Sequence, residues 1–187
     1  KYDFTTILNR EGTGAIAVSK IPFDNAEIKE GFSKIPMWVA DMNYATAPSV
    51  IEAIQNRLAH PVFGYFDIKD AYSESIIEWQ KTRNGVTDIP KEAIDYENGV
   101  LGGVSSVLQA FTAPGEAILL HSPAYIGFIG TITNMGRKIV YSPLKKDEQC
   151  VWRMDYEDMD KKLKENHIHL AIFCTPHNPC AVSYTHL

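Results

Sequence analysis

Cysteine is scarce in this sequence, with three residues among 187. A secreted protein that depended on a disulfide framework would carry more cysteines, in an even number. The scarcity argues against that class and favours a protein of a reducing compartment. We therefore expect a cytoplasmic location.

An excess of basic residues and long apolar runs are also missing. The chain has 18 Lys and Arg residues against 23 Asp and Glu residues, a formal net charge of −5 at pH 7. Phosphate backbones are bound by clustered Lys and Arg, so we expect no nucleic-acid partner. No apolar run approaches the roughly 20 residues of a membrane span, and the opening stretch KYDFTTILNREGTGAIAV lacks the regions of a signal peptide. We expect no membrane partner.

Hydrophobic residues make up 45% of the chain and charged residues 22%, as in ordinary globular domains. Residues 1–45 show no sustained period, and we interpret them as an extended arm with an active-site loop segment. Two helices are predicted next, in TAPSVIEAIQNRLAH and in DAYSESIIEWQKTRNG. Pro48 suits a first helical turn, and Gly85 suits a helix end.

After Pro90 a short apolar strand followed by an amphipathic segment recurs three times. The predicted strands are AIDYE, AILLHS, KIVYSPL and HLAIFC. Strands separated by helical crossovers pair in parallel, so the pattern predicts an α/β fold with helices on both faces of the sheet. Ligands of such sheets lie beyond the carboxyl ends of the strands, which selects the loops after Glu97, Leu120 and Cys174.

The first loop, ENGVLGGVSS, has glycines between a strand and a helix. Glycine lets backbone N–H groups approach an anion, the helix N-terminus adds a positive dipole end, and Ser105 and Ser106 offer hydroxyl groups. The spacing matches neither the dinucleotide nor the nucleoside-triphosphate fingerprint. The loop is either a phosphate cradle or a tight strand-to-helix turn.

The second and third loops offer an aromatic ring and an amide. Tyr125 begins a helix just beyond a strand and can stack on a planar ligand or keep its hydroxyl wet at a core edge. Asn178 lies between Pro176 and Pro179, which restrict its backbone and aim its amide. Together the three loops describe a site for a flat phosphorylated heteroaromatic ring, namely pyridoxal 5′-phosphate.

A metal site is the alternative interpretation of the stretch CTPHNPC. Cys174, His177 and Cys180 are evenly spaced soft ligands. Structural zinc commonly takes four ligands, and only three stand here between stiffening prolines. We therefore expect no metal, and we interpret His121 as a structural histidine.

Four separate stretches, WVADMNYATAPSVIEAI, VFGYFD, SPAYIGF and CTPHNPC, resemble the class I and II aminotransferase superfamily of fold-type I pyridoxal phosphate enzymes. They resemble most closely its cystathionine β-lyase, or cysteine-S-conjugate β-lyase, branch. The resemblance implies an aspartate aminotransferase-like fold, with an arm and active-site loop segment over 1–45 and the first part of the large cofactor-binding domain over 46–180. It also implies a homodimer when the protein is full length.

The resemblance also implies roles for individual residues. In the family, the first loop wraps the cofactor phosphate through backbone N–H groups, an aromatic residue stacks on the pyridine ring, and an asparagine bonds the 3′ oxygen. A tyrosine reaches across the dimer to the partner's phosphate, and another loop lines the substrate pocket. In the same order, the matching residues here are Gly99, Val100 and Leu101; Tyr125; Asn178; Tyr65; and Asp41 with Met42.

The sequence departs from the family pattern at Asn43, where the family usually has Asp, and at Ala181 and Val182, where it has glycine and a basic residue. The stretch AVSYTHL, 181–187, resembles no part of the family. No residue matches the family's Schiff-base lysine, so we expect this catalytic lysine to lie beyond the end of a truncated chain.

The function implied for the intact protein is pyridoxal phosphate-dependent cleavage of the Cβ–S bond of cystathionine or cysteine S-conjugates. The products are a thiol, pyruvate and ammonia. A true aminotransferase is one alternative, since it shares every motif quoted above. A non-catalytic or metal-binding domain is the other alternative.

Overall fold

The fold is described by a computed structural model in which the chain forms two units, 1–69 and 70–187. The structure describes residues 2–20, 22, 29–32, 35 and 37–183. In chain order the elements are α1 (Ile16–Ser19), α2 (Pro48–Leu58), α3 (Asp70–Asn84), a 3₁₀ turn (Lys91–Ala93), α4 (Gly99–Phe111), β1 (Ala117–Ser122), α5 (Ile126–Asn134), β2 (Lys138–Pro143), β3 (Lys145–Lys146), β4 (Trp152–Arg153), α6 (Tyr156–Glu165) and β5 (Ala171–Ile172).

The main sheet of the second unit is parallel, with the strand order β2-β1-β5. Leu119 of β1 is in register with Val140 on one side and with Ala171 on the other. Residues 117–120 of the central strand are apolar and 118–121 are buried, as is typical of parallel sheets covered by crossover helices on both faces. This arrangement confirms the predicted α/β class.

The two faces of β1 are covered by different helices. Ile118 and Leu120 point to one face and form a buried cluster with Leu108 of α4 and Ile132 of α5. Leu119, which is also fully buried, points to the opposite face because strand side chains alternate. Helix α6 contacts β1 and β2. The prediction of helices on both faces of the sheet is thus confirmed.

Helices α2 and α3 form where the sequence predicted them. Pro48 begins α2, and Gly85, with φ of 69°, follows the last residue of α3 in the left-handed conformation that glycine adopts without strain. The apolar side chains of α2 are exposed, among them Ile54 and Leu58.

One predicted strand is wrong. The stretch AIDYE forms no strand, because the 3₁₀ turn takes its first residue and 94–97 have no regular structure. An extended segment becomes a strand only beside a partner that shares its backbone hydrogen bonds, and among the described strands β1 pairs with β2 and β5 alone. The hairpin of β3 and β4, which the sequence did not predict, turns around Asp147, whose carboxylate accepts backbone N–H bonds from Gln149 and Val151.

A buried arginine ties two helix ends together. The Arg137 guanidinium donates to the carbonyl oxygens of Leu108, Thr112 and Met135 at 3.1, 2.6 and 2.5 Å. These carbonyls lie at the C-terminal ends of α4 and α5, where the helix dipole favours a cation, and the Leu108 oxygen also accepts the Thr112 N–H. Among the described residues, no helix is long and apolar enough to cross a membrane.

Candidate ligand site at the carboxyl edge of the sheet

The sheet topology gathers two of the predicted loops. Strands β1 and β5 are adjacent and parallel, so they end at the same edge of the sheet, here called the carboxyl edge. Tyr125 follows β1 and Asn178 follows β5 within a few residues. In open parallel sheets this edge is the usual place for a ligand.

The predicted phosphate cradle forms the first turn of α4. Gly99 has φ of 77°, which requires glycine, and its N–H donates to the carbonyl oxygen of Glu97 at 2.8 Å. Val100 and Leu101 follow in the first turn, where backbone N–H groups have no acceptor within the helix. In this conformation the anion-binding capacity of the turn therefore rests on Val100 and Leu101 more than on Gly99.

The serine hydroxyls of α4 have hydrogen-bond partners within the protein. Ser105 donates to the carbonyl oxygen of Leu101 at 3.0 Å, and Ser106 donates to the Glu97 carboxylate at 2.6 Å. The Glu97 side chain lies along the glycines, since a Cβ built on Gly102 would be 3.5 Å from Glu97 Oε2. Both hydroxyls thus donate within α4 and the turn before it, and their role towards a phosphate stays a prediction.

The Tyr125 ring reaches the first turn of α4. It lies edge-on to Phe128 with ring centroids 5.4 Å apart, and 38% of the residue is exposed. A Cβ built on Gly127 would lie 2.3 Å from Tyr125 Cε1 and 2.9 Å from Leu101 Cδ1. The tyrosine ring and the leucine side chain thus both approach Gly127, which brings near each other two residues predicted from separate loops.

Asn178 lies on a turn that is closed by two backbone hydrogen bonds of His177. The His177 N–H donates to the carbonyl oxygen of Val182 at 2.7 Å, and the Ala181 N–H donates to the carbonyl oxygen of His177 at 2.6 Å. His177 is buried, whereas Asn178 is exposed. The turn therefore holds its histidine inward and presents its asparagine outward.

Two buried histidines link this turn to the end of β1. The Nδ1 atom of His121 lies 3.3 Å from the carbonyl oxygen of Ser142 in β2. Burial lowers the pKa of His121 and of His177, and the charge of His121 lowers the pKa of His177 further. Both imidazoles are therefore neutral near pH 7 and act as packed side chains at the carboxyl edge.

The cysteines of CTPHNPC show no metal-binding arrangement. In the part of the chain that the structure describes, no group of three or more His, Cys, Asp or Glu side chains could hold a metal ion. The Cys174 thiol donates to the carbonyl oxygen of Pro176 at 3.4 Å. Burial raises the pKa of the Cys180 thiol, which disfavours the thiolate that binds metals.

The remaining predicted residues belong to the first unit. Arg10 donates to the Asp41 carboxylate at 2.6 Å, to the carbonyl oxygen of Met42 at 3.2 Å and to the Asn43 side chain at 3.3 Å. The Arg10 hydrogen bond lowers the pKa of Asp41. The Tyr65 side chain is fully exposed.

Sequence reasoning missed two residues around these groups. Arg10 stands in an aperiodic arm, and no local pattern connects it with a loop 31 residues away. Gly127 lies within a helix without a positive φ, so only the position of the Tyr125 ring shows why a side chain is absent there.

The fold and the site define an α/β protein with a candidate ligand site built from a helix N-terminus, an aromatic ring and a turn. The family model described as aminotransferase class I and II matches residues 33–186. The chain belongs to this family, which confirms the resemblance of its motifs.

Similar proteins carry related names. The chain is 34% identical over 151 residues to cystathionine β-lyase PatB of Bacillus subtilis, and the match covers 81% of this chain and 38% of PatB. It matches the pyridoxal phosphate-bound C-S lyase of Staphylococcus hominis with a TM-score of 0.82 at 30% identity, over 98% of this chain and 45% of that one. Cystalysin of Treponema denticola, whose crystal structure contains pyridoxal 5′-phosphate, matches with a TM-score of 0.84 at 29% identity, over 98% and 46%. The chain thus spans less than half the length of each of these three proteins.

Proposed function

We propose that the protein is a pyridoxal phosphate-dependent carbon-sulfur lyase. It cleaves the Cβ–S bond of cystathionine or of cysteine S-conjugates and releases a thiol, pyruvate and ammonia. The observation that carries the cofactor assignment is that the Tyr125 ring and Leu101, in the first turn of α4, approach each other at Gly127. The lyase assignment is supported by similarity to proteins named as cystathionine β-lyase and C-S lyase.

The residues of the second unit fit the cofactor. A helix N-terminus with N–H groups of Val100 and Leu101 suits a phosphate group, because the dipole and the N–H groups favour an anion. The partly exposed Tyr125 ring suits a planar pyridine, and the exposed Asn178 amide can bond a ring oxygen. Pyridoxal phosphate, when bound, supplies the electron sink for cleavage at the amino-acid carbons.

The roles proposed for this chain's residues are binding and orientation. Val100 and Leu101 bind the phosphate, Tyr125 fixes the plane of the ring, and Asn178 bonds its 3′ oxygen. The Schiff-base lysine is proposed to lie outside 1–187. In support, the lysines of the charged helix α6 are engaged in i,i+4 ion pairs with Asp or Glu: Lys161, Lys162 and Lys164.

The first unit is proposed to supply the substrate loop and a dimer contact. Asp41 and Met42 would line the pocket for the amino-acid substrate, on a loop that Arg10 holds. Tyr65 would reach the cofactor phosphate of the partner in a homodimer, which is supported by its full exposure in this chain. We further propose a cytoplasmic location, which the three free cysteines favour.

Product analysis tests the proposed reaction. The longest protein product that contains 1–187 is incubated with pyridoxal phosphate and cystathionine, without a keto acid. We expect pyruvate above the rate of free cofactor, and none from 1–187 alone. Turnover that requires a keto-acid acceptor would replace the lyase with the aminotransferase alternative, which the family description also favours.

Substitution of Tyr125 tests the site. Tyr125→Ala should weaken cofactor binding about fivefold, because aromatic stacking contributes on the order of 1 kcal/mol beyond burial. Tyr125→Phe should keep the affinity. The matched control is Tyr156→Ala at the exposed start of α6, which should leave binding unchanged. Equal affinities for Tyr125→Ala and the control would contradict the proposed site.

A further inference from the structure

Gly127 occupies a position where no side chain fits. A Cβ built there would lie 2.3 Å from Cε1 and 2.8 Å from Cζ of Tyr125, and 2.9 Å from Cδ1 of Leu101. Carbon atoms in contact are normally about 3.5–4.0 Å apart. The Tyr125 ring and the Leu101 side chain therefore share the space that any other residue would fill.

The need for glycine at 127 is steric. Gly127 lies in the first turn of α5 and does not have the positive φ that favours glycine elsewhere in the chain. Gly130, in the same helix, offers the contrast, because a Cβ there would meet nothing within 4 Å. The two glycines carry the same cost in helix propensity, but only Gly127 has neighbours that use its missing side chain.

We propose that Gly127 is a positioning residue of the cofactor site. Its missing side chain leaves a notch, defined by Tyr125, Gly127 and Leu101, that seats the tyrosine ring against the first turn of α4. The notch thereby fixes the separation between the ring that stacks on the cofactor and the N–H groups that bind its phosphate. This inference rests on the proposed function.

A methyl group at 127 must displace the ring. The atoms that the methyl group would meet belong to the side chains of Tyr125 and Leu101. Rotation of these side chains relieves the collision, so the backbone of α5 keeps its helical form. The ring then leaves the notch and turns away from Leu101 or into the space above the carboxyl edge. In either position the ring has left the notch beside the first turn of α4.

The test compares Gly127→Ala with the matched control Gly130→Ala in the purified protein. The first readout needs no cofactor: it is the nuclear Overhauser effect between the Tyr125 ring and the Leu101 methyl groups. The second readout is the dissociation constant for pyridoxal phosphate, from its absorbance. We expect Gly127→Ala to lose the Overhauser effect and to weaken binding about fivefold, the equivalent of one stacking contact. Gly130→Ala should change neither readout.

Each remaining outcome has a defined meaning. An unchanged Overhauser effect in Gly127→Ala, or its loss without weaker binding, overturns the proposal. In a Tyr125→Ala background, adding Gly127→Ala should have no further effect on binding, and a second fivefold loss would also overturn it. The unaltered protein can also fail to bind pyridoxal phosphate while Gly127→Ala still loses the Overhauser effect. In that case the proposed cofactor site is wrong, and only the steric role of Gly127 stands.

Discussion

The two units of this chain differ in how they use apolar side chains. In the second unit, Ile118, Leu120 and Ile132 are buried in one cluster against helices. In the described part of the first unit, Ala17 alone is a buried hydrophobic residue, and Met37, Tyr65 and Phe66 are largely exposed. The second unit has a core of its own, whereas the described part of the first unit has large exposed apolar side chains. We therefore expect core substitutions to lower stability in the second unit, and the exposed apolar residues of the first unit to serve in assembly.

The largest expected effect comes from the core of the second unit. Leu120→Ala should lower the free energy of unfolding by about 2–5 kcal/mol, because it removes buried methyl groups and leaves a cavity. The matched substitution in the first unit, Leu58→Ala in α2, should cost no more than about 0.5 kcal/mol, because that side chain is 55% exposed. Urea unfolding of both variants measures the difference. A large loss for Leu58→Ala would show that the α2 surface is covered in the assembled protein.

Arginine substitutions sharpen the same comparison. Arg137→Met should cost about 2 kcal/mol, because it removes the guanidinium hydrogen bonds to the carbonyl groups of Leu108, Thr112 and Met135 at the ends of α4 and α5. Arg10→Met should cost less, because its partner Asp41 is partly exposed and solvent screens the ion pair. Thermal unfolding in low and high salt tests both, and only the Arg10 effect should shrink with added salt. Equal losses at all salt concentrations would contradict this ranking.

The buried histidines predict a pH dependence of the second unit. Their folded-state pKa values are lowered, so below about pH 6.5 the unfolded chain binds protons that the folded chain does not. The contribution of the neutral histidines to the free energy of unfolding should be fully present above that pH. As the pH drops below it, the free energy of unfolding should fall by up to about 1.4 kcal/mol per pH unit for each histidine. Unfolding at pH 7.5 and 5.5 measures the loss, and His121→Asn should reduce it. A loss that is unaffected by this substitution would assign the titration to other groups.

The smallest expected effect concerns the loop of the first unit. Asn43→Asp restores the residue usual in the family and gives Arg10 a second carboxylate beside Asp41. We expect slower hydrogen exchange of the Leu8 amide, which donates to the carbonyl oxygen of residue 43 at 2.8 Å. The change should vanish in 1 M salt, and Asn9→Asp serves as the control. Exchange that becomes faster would mean that two adjacent carboxylates repel more than Arg10 compensates.

The sequence predicted elements whose formation depends on local pattern. Strand β1 matches the predicted AILLHS because it is apolar on both faces, and α3 ends before Gly85 because glycine suits the conformation there. The stretch AIDYE has the composition of a strand but no described partner, and pairing is not encoded locally. Strand β5 pairs with β1 but covers only Ala171 and Ile172 of the predicted HLAIFC.

The candidate site was predictable to the same extent. Tyr125 and Asn178 follow strand ends, so topology alone places both at one edge of the sheet. The hydrogen bond of Ser106 with Glu97 spans nine residues, and the approach of Leu101 to Gly127 joins α4 to α5, so neither follows from local sequence pattern. The assignment of the full domain boundaries, including 181–187, stays a prediction.

The strand order also has a consequence for synthesis on the ribosome. The central strand β1 is made before both of its neighbours, and residues 123–170 separate it from β5. At typical translation rates of roughly 5–20 residues per second, β1 waits about 2–10 s for β5 after it has emerged. During that interval one row of its backbone hydrogen-bonding groups has no partner strand. Pausing codons between β2 and β5 would lengthen this exposure.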